Sequence, residues 1–188
     1  MLRLFTEALG AFLVSNLSGL FGDLVISYSL PGDVIGRDAL SIFLSDMVED
    51  AELQTSEPEY DRSEFGFYAL KPPLRLKCTY IVSAWPSTED RAESAMVQQE
   101  LLSEAYRVLG SFAKLPSAFI PAPFKEADMP APVIALPKGE FQNKPEFWIS
   151  AGCAYRAAFS VSATVSLPAV QERYEHLVDG VQTSYLIK

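Results

Sequence analysis

Apolar side chains near the start of the chain recur at every third or fourth position, which predicts an amphipathic helix over residues 1–21. Gly22 is a typical residue for the end of such a helix. The stretch contains Arg3 and Glu7 and no clear small-residue cleavage site. We therefore expect a helix of the protein core here, rather than a targeting signal or a membrane span.

Apolar and polar residues alternate along several later segments, as in strands that bury one face and expose the other. The clearest segments cover residues 24–30, 39–48, 74–83 and 153–167. The last of them is longer than the usual strand of about five or six residues. Its second face is small and hydroxylated, and we expect this face either to meet solvent or to form an interface; it contains Arg156, Ser160, Ser162 and Thr164.

A second long helix is predicted after Pro86, where Ser87 or Thr88 is expected to cap the first turn. The segment ends before Pro116, because proline cannot continue a helix. We expect the core-facing stripe of this helix to contain Ala92, Ala95, Met96, Gln99, Leu102, Ala105, Tyr106, Leu109 and Phe112.

The connecting segments differ from these elements in composition. Residues 46–64 are strongly acidic, which predicts an exposed loop or the tip of a long hairpin. Residues 116–137 are rich in proline, which predicts a stiff and extended connector. Shorter elements are expected as strands at 65–70 and 133–136 and as a helix at 141–149, with Trp148 in the core.

Together these elements predict an α/β (α+β) protein with two long helices and four to six strands. We expect an antiparallel or mixed sheet with both long helices packed on one face. A single domain covers residues 1–168, and residues 169–188 form a C-terminal tail or arm. Within that tail we expect a short helix at 171–178, followed by an added strand or arm that includes Tyr185 and Leu186.

Charge and cysteine usage narrow the classes of partner. The chain has 188 residues and a formal net charge of −9, with 15 basic and 24 acidic residues. Nucleic acids and anionic membranes attract clustered Lys and Arg, so we exclude both as partners. The spacing of Cys78 and Cys153 matches neither a disulfide framework nor a zinc site, and it suits a reducing, cytoplasmic setting.

Residue types that carry catalysis are few and poorly grouped. His176 is the single histidine, and no nucleophile or metal ligand can be placed beside it. Ser111 and Lys114 match a Ser-x-x-Lys pattern, but the companion motifs of that enzyme class are absent. The acids of 46–64 sit in a polar stretch that gives no reason for perturbed pKa values. We therefore expect no catalytic residue, cofactor or metal.

Three stretches, taken in order, resemble a known family. The stretch at 71–82, in which Pro72-Pro73 precede the alternating residues, resembles a strand of the tail-terminator, or cap, proteins of contractile injection systems. These phage-tail-like particles are related to antifeeding prophages and Photorhabdus virulence cassettes. The helix at 99–109 is similar to the family's Leu-Leu helix, and Trp148 followed by Tyr155-Arg156 is similar to its closing pattern. The acidic stretch at 46–64 and the pair Ala157-Ala158 depart from the pattern.

The resemblance implies a structural role. Such proteins form a hexameric ring on the inner tube, stop its polymerisation and bind the last layer of sheath. The partners it implies are therefore further copies of the chain, the inner tube protein and the sheath protein, in a phage-tail-like particle assembled in the cytoplasm. We hypothesise that Arg156 pairs with an acid of 46–64 in a neighbouring subunit, and the predicted interface contains Arg156, Ser160, Ser162, Thr164, Tyr185 and Leu186.

Three other functions remain as alternatives. The nearest is another head–tail or tail-joining protein of a phage-like particle. A second is a regulatory α/β domain that binds a small molecule, which requires a pocket with convergent polar groups. The third is an enzyme that uses the acids of 46–64, for which no substrate can be named.

Overall fold

The computed structural model describes residues 1–29, 37–53, 59–63, 66–136 and 145–169, with the backbone alone for 59–63 and 66–70. The helices and strands follow one another along the chain without a regular repeat. In chain order they are α1 (Leu2–Phe21), β1 (Val25–Ser27), β2 (Ala39–Glu49), β3 (Glu59–Ser63), β4 (Gly66–Leu70), β5 (Leu74–Trp85), α2 (Arg91–Gly110), a 3₁₀ turn (Ser117–Phe119), α3 (Ala122–Glu126), β6 (Val133–Ala135), α4 (Pro145–Ser150) and β7 (Ala158–Leu167).

The main sheet has five strands in the order β1-β2-β5-β7-β6, and a separate hairpin pairs β3 with β4. β1 is parallel to β2, whereas the pairs β2–β5, β5–β7 and β7–β6 are antiparallel. The predicted mixed sheet is therefore confirmed. The β3–β4 hairpin occupies part of the acidic stretch, as the expected hairpin tip predicts.

Both long helices pack on one face of the sheet, which we call the helix face, as predicted. Phe5, Leu9 and Leu13 of α1 are fully buried there, together with Tyr80 of β5 and Val161 of β7. By length and composition, α1 is the one helix in the described ranges that is apolar enough to cross a membrane. Its buried stripe lies in the hydrophobic core, in agreement with the prediction of a core helix.

The predicted cap of α2 is wrong, and the predicted core stripe is confirmed at Ala105 and Leu109 but wrong at its exposed members. Asp90 caps the helix, because its side chain accepts hydrogen bonds from the backbone N–H groups of Ala92 and Glu93. Ser87 instead donates its N–H and hydroxyl to Asp38. The buried residues at helical spacing are Leu101, Ala105, Val108 and Leu109, whereas Met96, Tyr106 and Phe112 are exposed.

The last strand is shorter than its sequence pattern predicts. It begins at Ala158, which pairs with Ser83, and Pro86 ends the neighbouring strand three residues further on. In this register Pro86, which cannot donate a backbone hydrogen bond, would stand opposite residue 155, so residues 153–155 have no ladder to join. Arg156 and Ala157 would stand opposite Trp85 and Ala84 of β5, but the ladder ends before them. The expected strand over 153–167 is therefore corrected to Ala158–Leu167, and Cys153 and Arg156 precede it.

The first predicted strand is also shorter, since 24–30 contains the three-residue strand β1. By contrast, the predictions at 39–48, 65–70, 133–136 and 141–149 correspond to β2, β4, β6 and α4. Trp148 is fully buried, as expected. The predicted tail elements, with His176, Tyr185 and Leu186, lie outside the described residues.

Candidate assembly surface

The face of the sheet opposite the long helices, here called the second face, is covered near Trp85 by α4. Trp148 of this helix is buried in a small cluster with Ala39 and Trp85. The ring centroid of Phe147 lies 6.2 Å from that of Phe43 on β2. α4 therefore closes one half of the second face and leaves the half near the start of β5 to other contacts.

Arg156 lies on the covered half of the second face. Its guanidinium carbon is 4.1 Å from the centroid of the Trp85 ring, which is the geometry of a cation–π contact. Burial lowers the pKa of this guanidinium, because desolvation disfavours the charged form. The predicted place of Arg156 on the last strand is thus corrected, since its side chain stacks on Trp85 instead.

The hydroxyl row of β7 does lie on the second face, but it is not exposed as expected. Ser160 and Ser162 are 6% and 5% exposed, and Thr164 is half-buried. Thr164 donates a hydrogen bond of 2.7 Å from Oγ1 to Oδ2 of Asp50, in the turn that follows β2. The burial of Ser160 and Ser162 contradicts a solvated face at these two positions, and the interface predicted for the row stays a prediction.

A cavity of about 360 Å³ occupies the other half of the second face. Its floor includes Lys77 of β5 together with Ser162 and Thr164 of β7, and Val133 of β6 forms one side. Among the residues that the structure describes, Ser162 Oγ is buried and has no hydrogen-bond partner. A buried polar group without a partner costs about 1–3 kcal/mol, so the cavity floor is less stable than a fully paired one.

The rim of this cavity is acidic. Glu49, Asp50 and Glu52 line it from the end of β2, and Lys77 is the basic residue of the lining. Three carboxylates against one ammonium give this end of the sheet a local negative charge, in keeping with the acidic stretch in which they lie. A cationic group is therefore a better occupant than an anion.

Apolar side chains are exposed at the same end of the sheet. Met47, Val48, Leu53 and Leu74 are 50%, 49%, 46% and 45% exposed, respectively. Met47 lies near the end of β2, and Leu74 begins β5 at the same end of the sheet. Exposed apolar groups beside charged ones are typical of surfaces that contact other proteins. We call the four residues the apolar end.

Other candidates from the sequence do not form sites. Ser111 donates its hydroxyl to the carbonyl of Arg107 and so caps the end of α2, while Lys114 forms a backbone bridge with Val133. Ser111 and Lys114 are therefore structural residues. In the described part of the chain, no three His, Cys, Asp or Glu side chains are grouped to hold a metal ion.

Sequence reasoning missed the cavity and the apolar end. The signal for the apolar end was present, because the alternation at 39–48 runs into the acidic stretch without a break. The cavity has no such signal. It depends on Asp50 and Thr164, which are 114 positions apart in sequence.

Comparisons with known proteins give a consistent result. Residues 5–177 match the family model described as the Pvc16 N-terminal domain. The fold is similar to a cryo-EM structure of the sheath/tube terminator of the extracellular contractile injection system PVC, in its extended state, with a TM-score of 0.70 and 20% identity. It is also similar to the cryo-EM structure of the anti-feeding prophage cap, the AFP tube terminating cap, with a TM-score of 0.68 and 22% identity.

The two matches cover 100% and 96% of this chain, but 64% and 60% of the respective solved chains. The chain thus spans less than two thirds of the length of either structure. A comparison with curated proteins gave no significant match.

Proposed function

Because the chain belongs to the Pvc16 N-terminal domain family, we propose that it caps the inner tube and sheath of a contractile injection system. The observation that carries this proposal is the similarity of the whole fold to a sheath/tube terminator and to a tube terminating cap. Its role is structural rather than enzymatic, and it needs no cofactor.

The surface of the chain is consistent with such a role. The apolar end and the acidic rim adjoin each other at the end of the sheet where β2 finishes and β5 begins. A cap must hold a large partner by surface contact rather than enclose a small substrate, and exposed apolar groups with a charged rim suit that task. We propose that this end of the sheet contacts the tube or the sheath.

We further propose that the chain acts as a ring, and six copies is the number that the family resemblance implies. Neighbouring copies in a closed ring use two different surfaces, because the contact is head-to-tail. The predicted interface of Arg156, Ser160, Ser162, Thr164, Tyr185 and Leu186 remains a proposal. Since Ser160 and Ser162 are buried, Arg156 and Thr164 are the better accessible of its described members.

Assembly in the cytoplasm is also proposed. Cys78 and Cys153 are both free thiols, and thiols persist in a reducing compartment. One of the similar structures comes from a system described as extracellular, and the proposal concerns the compartment of assembly alone.

Negative-stain electron microscopy tests the cap role directly. The purified chain is imaged alone and after mixing with assembled tail tubes. We expect density at one end of the tubes, and a ring whose symmetry can be counted. Monomeric particles that never decorate tube ends would overturn the proposal and favour ligand binding, to be tested by thermal-shift screening. Density at another position on the particle would favour a different tail-joining protein.

A pair of variants separates the two proposed contacts. Met47→Glu with Leu74→Glu changes the apolar end, and we expect it to abolish decoration of tube ends. Met96→Glu is the matched control, because Met96 is 67% exposed on α2, far from the apolar end in sequence and on another element. Arg156→Glu tests the contact between subunits, and intact rings from a folded Arg156→Glu variant would remove Arg156 from that contact.

A further inference from the structure

One edge of the main sheet has a long stretch without a neighbouring strand. β2 pairs with β5 along its whole length, from Ala39 to Glu49. On its other side, β1 pairs with Ala39, Leu40 and Ser41 alone. From residue 42 to residue 49, no strand of the described chain lies beside β2. Within the described residues, the backbone groups on this outer edge have no ladder partner, and the N–H of Met47 donates a hydrogen bond of 2.9 Å to Oδ1 of Asp46. Such an edge can pair with another strand.

The opposite edge of the same sheet is protected. β6 is three residues long, and the segment after α2 lies against its outer side. Ile134 donates its N–H to the carbonyl of Ala113 at 2.9 Å, and Leu115 donates to the carbonyl of Pro132 at 3.1 Å. Within the described ranges, the chain therefore covers one sheet edge with its own backbone and places no strand beside residues 42–49 of the other edge.

The side chains beside the uncovered edge suit an added strand. Met47 and Val48 point to opposite faces of the sheet, and each is about half exposed. An incoming strand would find an apolar neighbour on both of its faces, and such cross-strand pairs stabilise a sheet. A bulge at Ser45 interrupts the register with β5, but pairing resumes and continues to Glu49. The bulge therefore does not end the strand.

The charge along this edge selects the kind of strand. β2 contains Asp46 and Glu49 and no basic residue, and Asp50 and Glu52 follow it. Like charges placed opposite each other destabilise a strand pair, so two copies of β2 would repel one another. A strand with basic side chains would instead place opposite charges across the new pair.

We propose that the outer edge of β2, from residue 42 to residue 49, accepts an extended segment of a different protein as an additional strand. The segment alternates apolar and basic side chains. Its backbone pairs with β2, and its two faces meet different residues, because Met47 and Glu49 lie on one face of β2 and Asp46 and Val48 on the other. Its apolar residues contact Met47 while its basic residues face Asp46, or they contact Val48 while its basic residues face Glu49. This inference names an edge and a partner chemistry, and it does not depend on the cap role.

Synthetic peptides test this inference on the full chain. One peptide alternates Val and Lys, a second alternates Val and Glu, and a third is the Val–Lys peptide with alternate amides N-methylated. We expect the Val–Lys peptide to bind, by fluorescence anisotropy, and to slow hydrogen exchange at residues 42–49. We expect no binding of the Val–Glu peptide, because its charge has the same sign as that of the edge. We also expect no binding of the N-methylated peptide, because it cannot complete the backbone ladder.

Charge reversal on the edge gives a second readout. Asp46→Lys with Glu49→Lys should lower the affinity for the Val–Lys peptide by about tenfold and should allow the Val–Glu peptide to bind. Glu89→Lys with Glu100→Lys is the control, since it changes the net charge equally at two exposed positions near and on α2. The control variant should bind the peptides as the unchanged chain does.

Several results would overturn the proposal. Slower exchange at residues 42–49 that depends on protein concentration without peptide would assign the edge to a second copy of the chain. Binding of the N-methylated peptide as strong as that of its parent would exclude strand addition. If the control variant weakened binding of the Val–Lys peptide equally, the loss would be due to the overall charge of the chain and not to the edge of β2.

Discussion

Thr6 on α1 and Tyr80 on β5 are joined by a hydrogen bond of 2.9 Å between their hydroxyl groups. Thr6 Oγ1 also donates to the carbonyl of Leu2, so the proton between the two hydroxyls comes from Tyr80. Tyr80 is fully buried, and its ring lies 6.2 Å from that of Phe5, centroid to centroid. This bond therefore fixes α1 on the helix face of the sheet.

Removing one partner of this bond should cost more than removing both. Thr6→Val leaves the buried Tyr80 hydroxyl without an acceptor, which we expect to lower the free energy of unfolding by about 1–3 kcal/mol. The double variant Thr6→Val with Tyr80→Phe should lose less than the sum of the two single changes. Urea unfolding of all four proteins measures the difference, and strictly additive losses would contradict this role of the bond.

Stability should fall at alkaline pH in two overlapping windows. Burial raises the pKa of Cys78 from 9.0 to about 11 and the pKa of Tyr80 from 10.0 to about 12. A raised pKa means that the folded state holds its proton more tightly. The stabilisation is therefore complete below the unfolded pKa and is lost as pH rises through the folded pKa.

Chemical unfolding from about pH 8 to about pH 12 measures this decline. The Tyr80→Phe variant should lose less stability above pH 10, because it lacks the group that titrates with a pKa of about 12. Cys78→Ala should reduce the loss of unfolding free energy between pH 9 and pH 11. A profile that both variants leave unchanged would assign the decline to other groups.

Two glycines of α1 should respond to alanine with opposite signs. A Cβ at Gly10 would lie 2.2 Å from the Tyr28 hydroxyl, whereas a Cβ at Gly19 meets nothing within 4 Å. Helix propensity favours alanine by about 1 kcal/mol at either position. We expect Gly19→Ala to stabilise the chain, and Gly10→Ala to destabilise it by about 1–3 kcal/mol through overpacking.

The tyrosine itself provides the control for this experiment. The Tyr28 ring contacts the helix at Gly10, so Tyr28→Ala should itself destabilise the chain, and in that background Gly10→Ala should cost nothing further. Thermal unfolding compares the variants. A loss in Gly10→Ala that persists without the Tyr28 ring would place the cause in Ile26, whose side chain is the next neighbour at 3.1 Å.

Long periodic patterns predicted the fold well, because burial of one face determines both the element and its orientation. The helix over 1–21 and the strand over 39–48 are found within one or two residues of their predicted bounds. The hydrophobic pattern gave a wrong prediction where two different faces of one element had the same periodic spacing. On α2, the stripe through Met96 and Tyr106 and the stripe through Leu101 and Val108 both have helical spacing, and tertiary packing selects the second.

The candidate site was harder to predict than the fold. The alternation from Cys153 onward is that of a strand, but a strand also needs a partner, and the ladder with β5 ends at the pair of Ala158 and Ser83. The hydroxyl groups of Ser160 and Ser162 indicate a polar face and give no information about what covers it. Burial of that face depends on contacts between distant segments, such as Trp148 with Trp85, which a single sequence does not record.

The floor of the cavity offers a matched pair of substitutions on one strand. Ser162 Oγ is buried without a partner in the described structure, so Ser162→Ala removes a group that gains nothing from folding. We expect that change to be neutral or to stabilise the chain by up to about 1 kcal/mol. Thr164→Val removes the donor to Asp50 and should cost about 1–2 kcal/mol, since the bond is to a charged group.

Thr164→Ser retains the hydroxyl and should recover most of the loss seen in Thr164→Val, which separates the hydrogen bond from the packing of the methyl group. Urea unfolding at neutral pH compares the three variants with the unchanged chain. If Ser162→Ala destabilised the chain as much as Thr164→Val, then Ser162 would have a partner in solution. The polar floor of the cavity would then be fully paired before any ligand or protein reached it, and its position would not indicate a binding site.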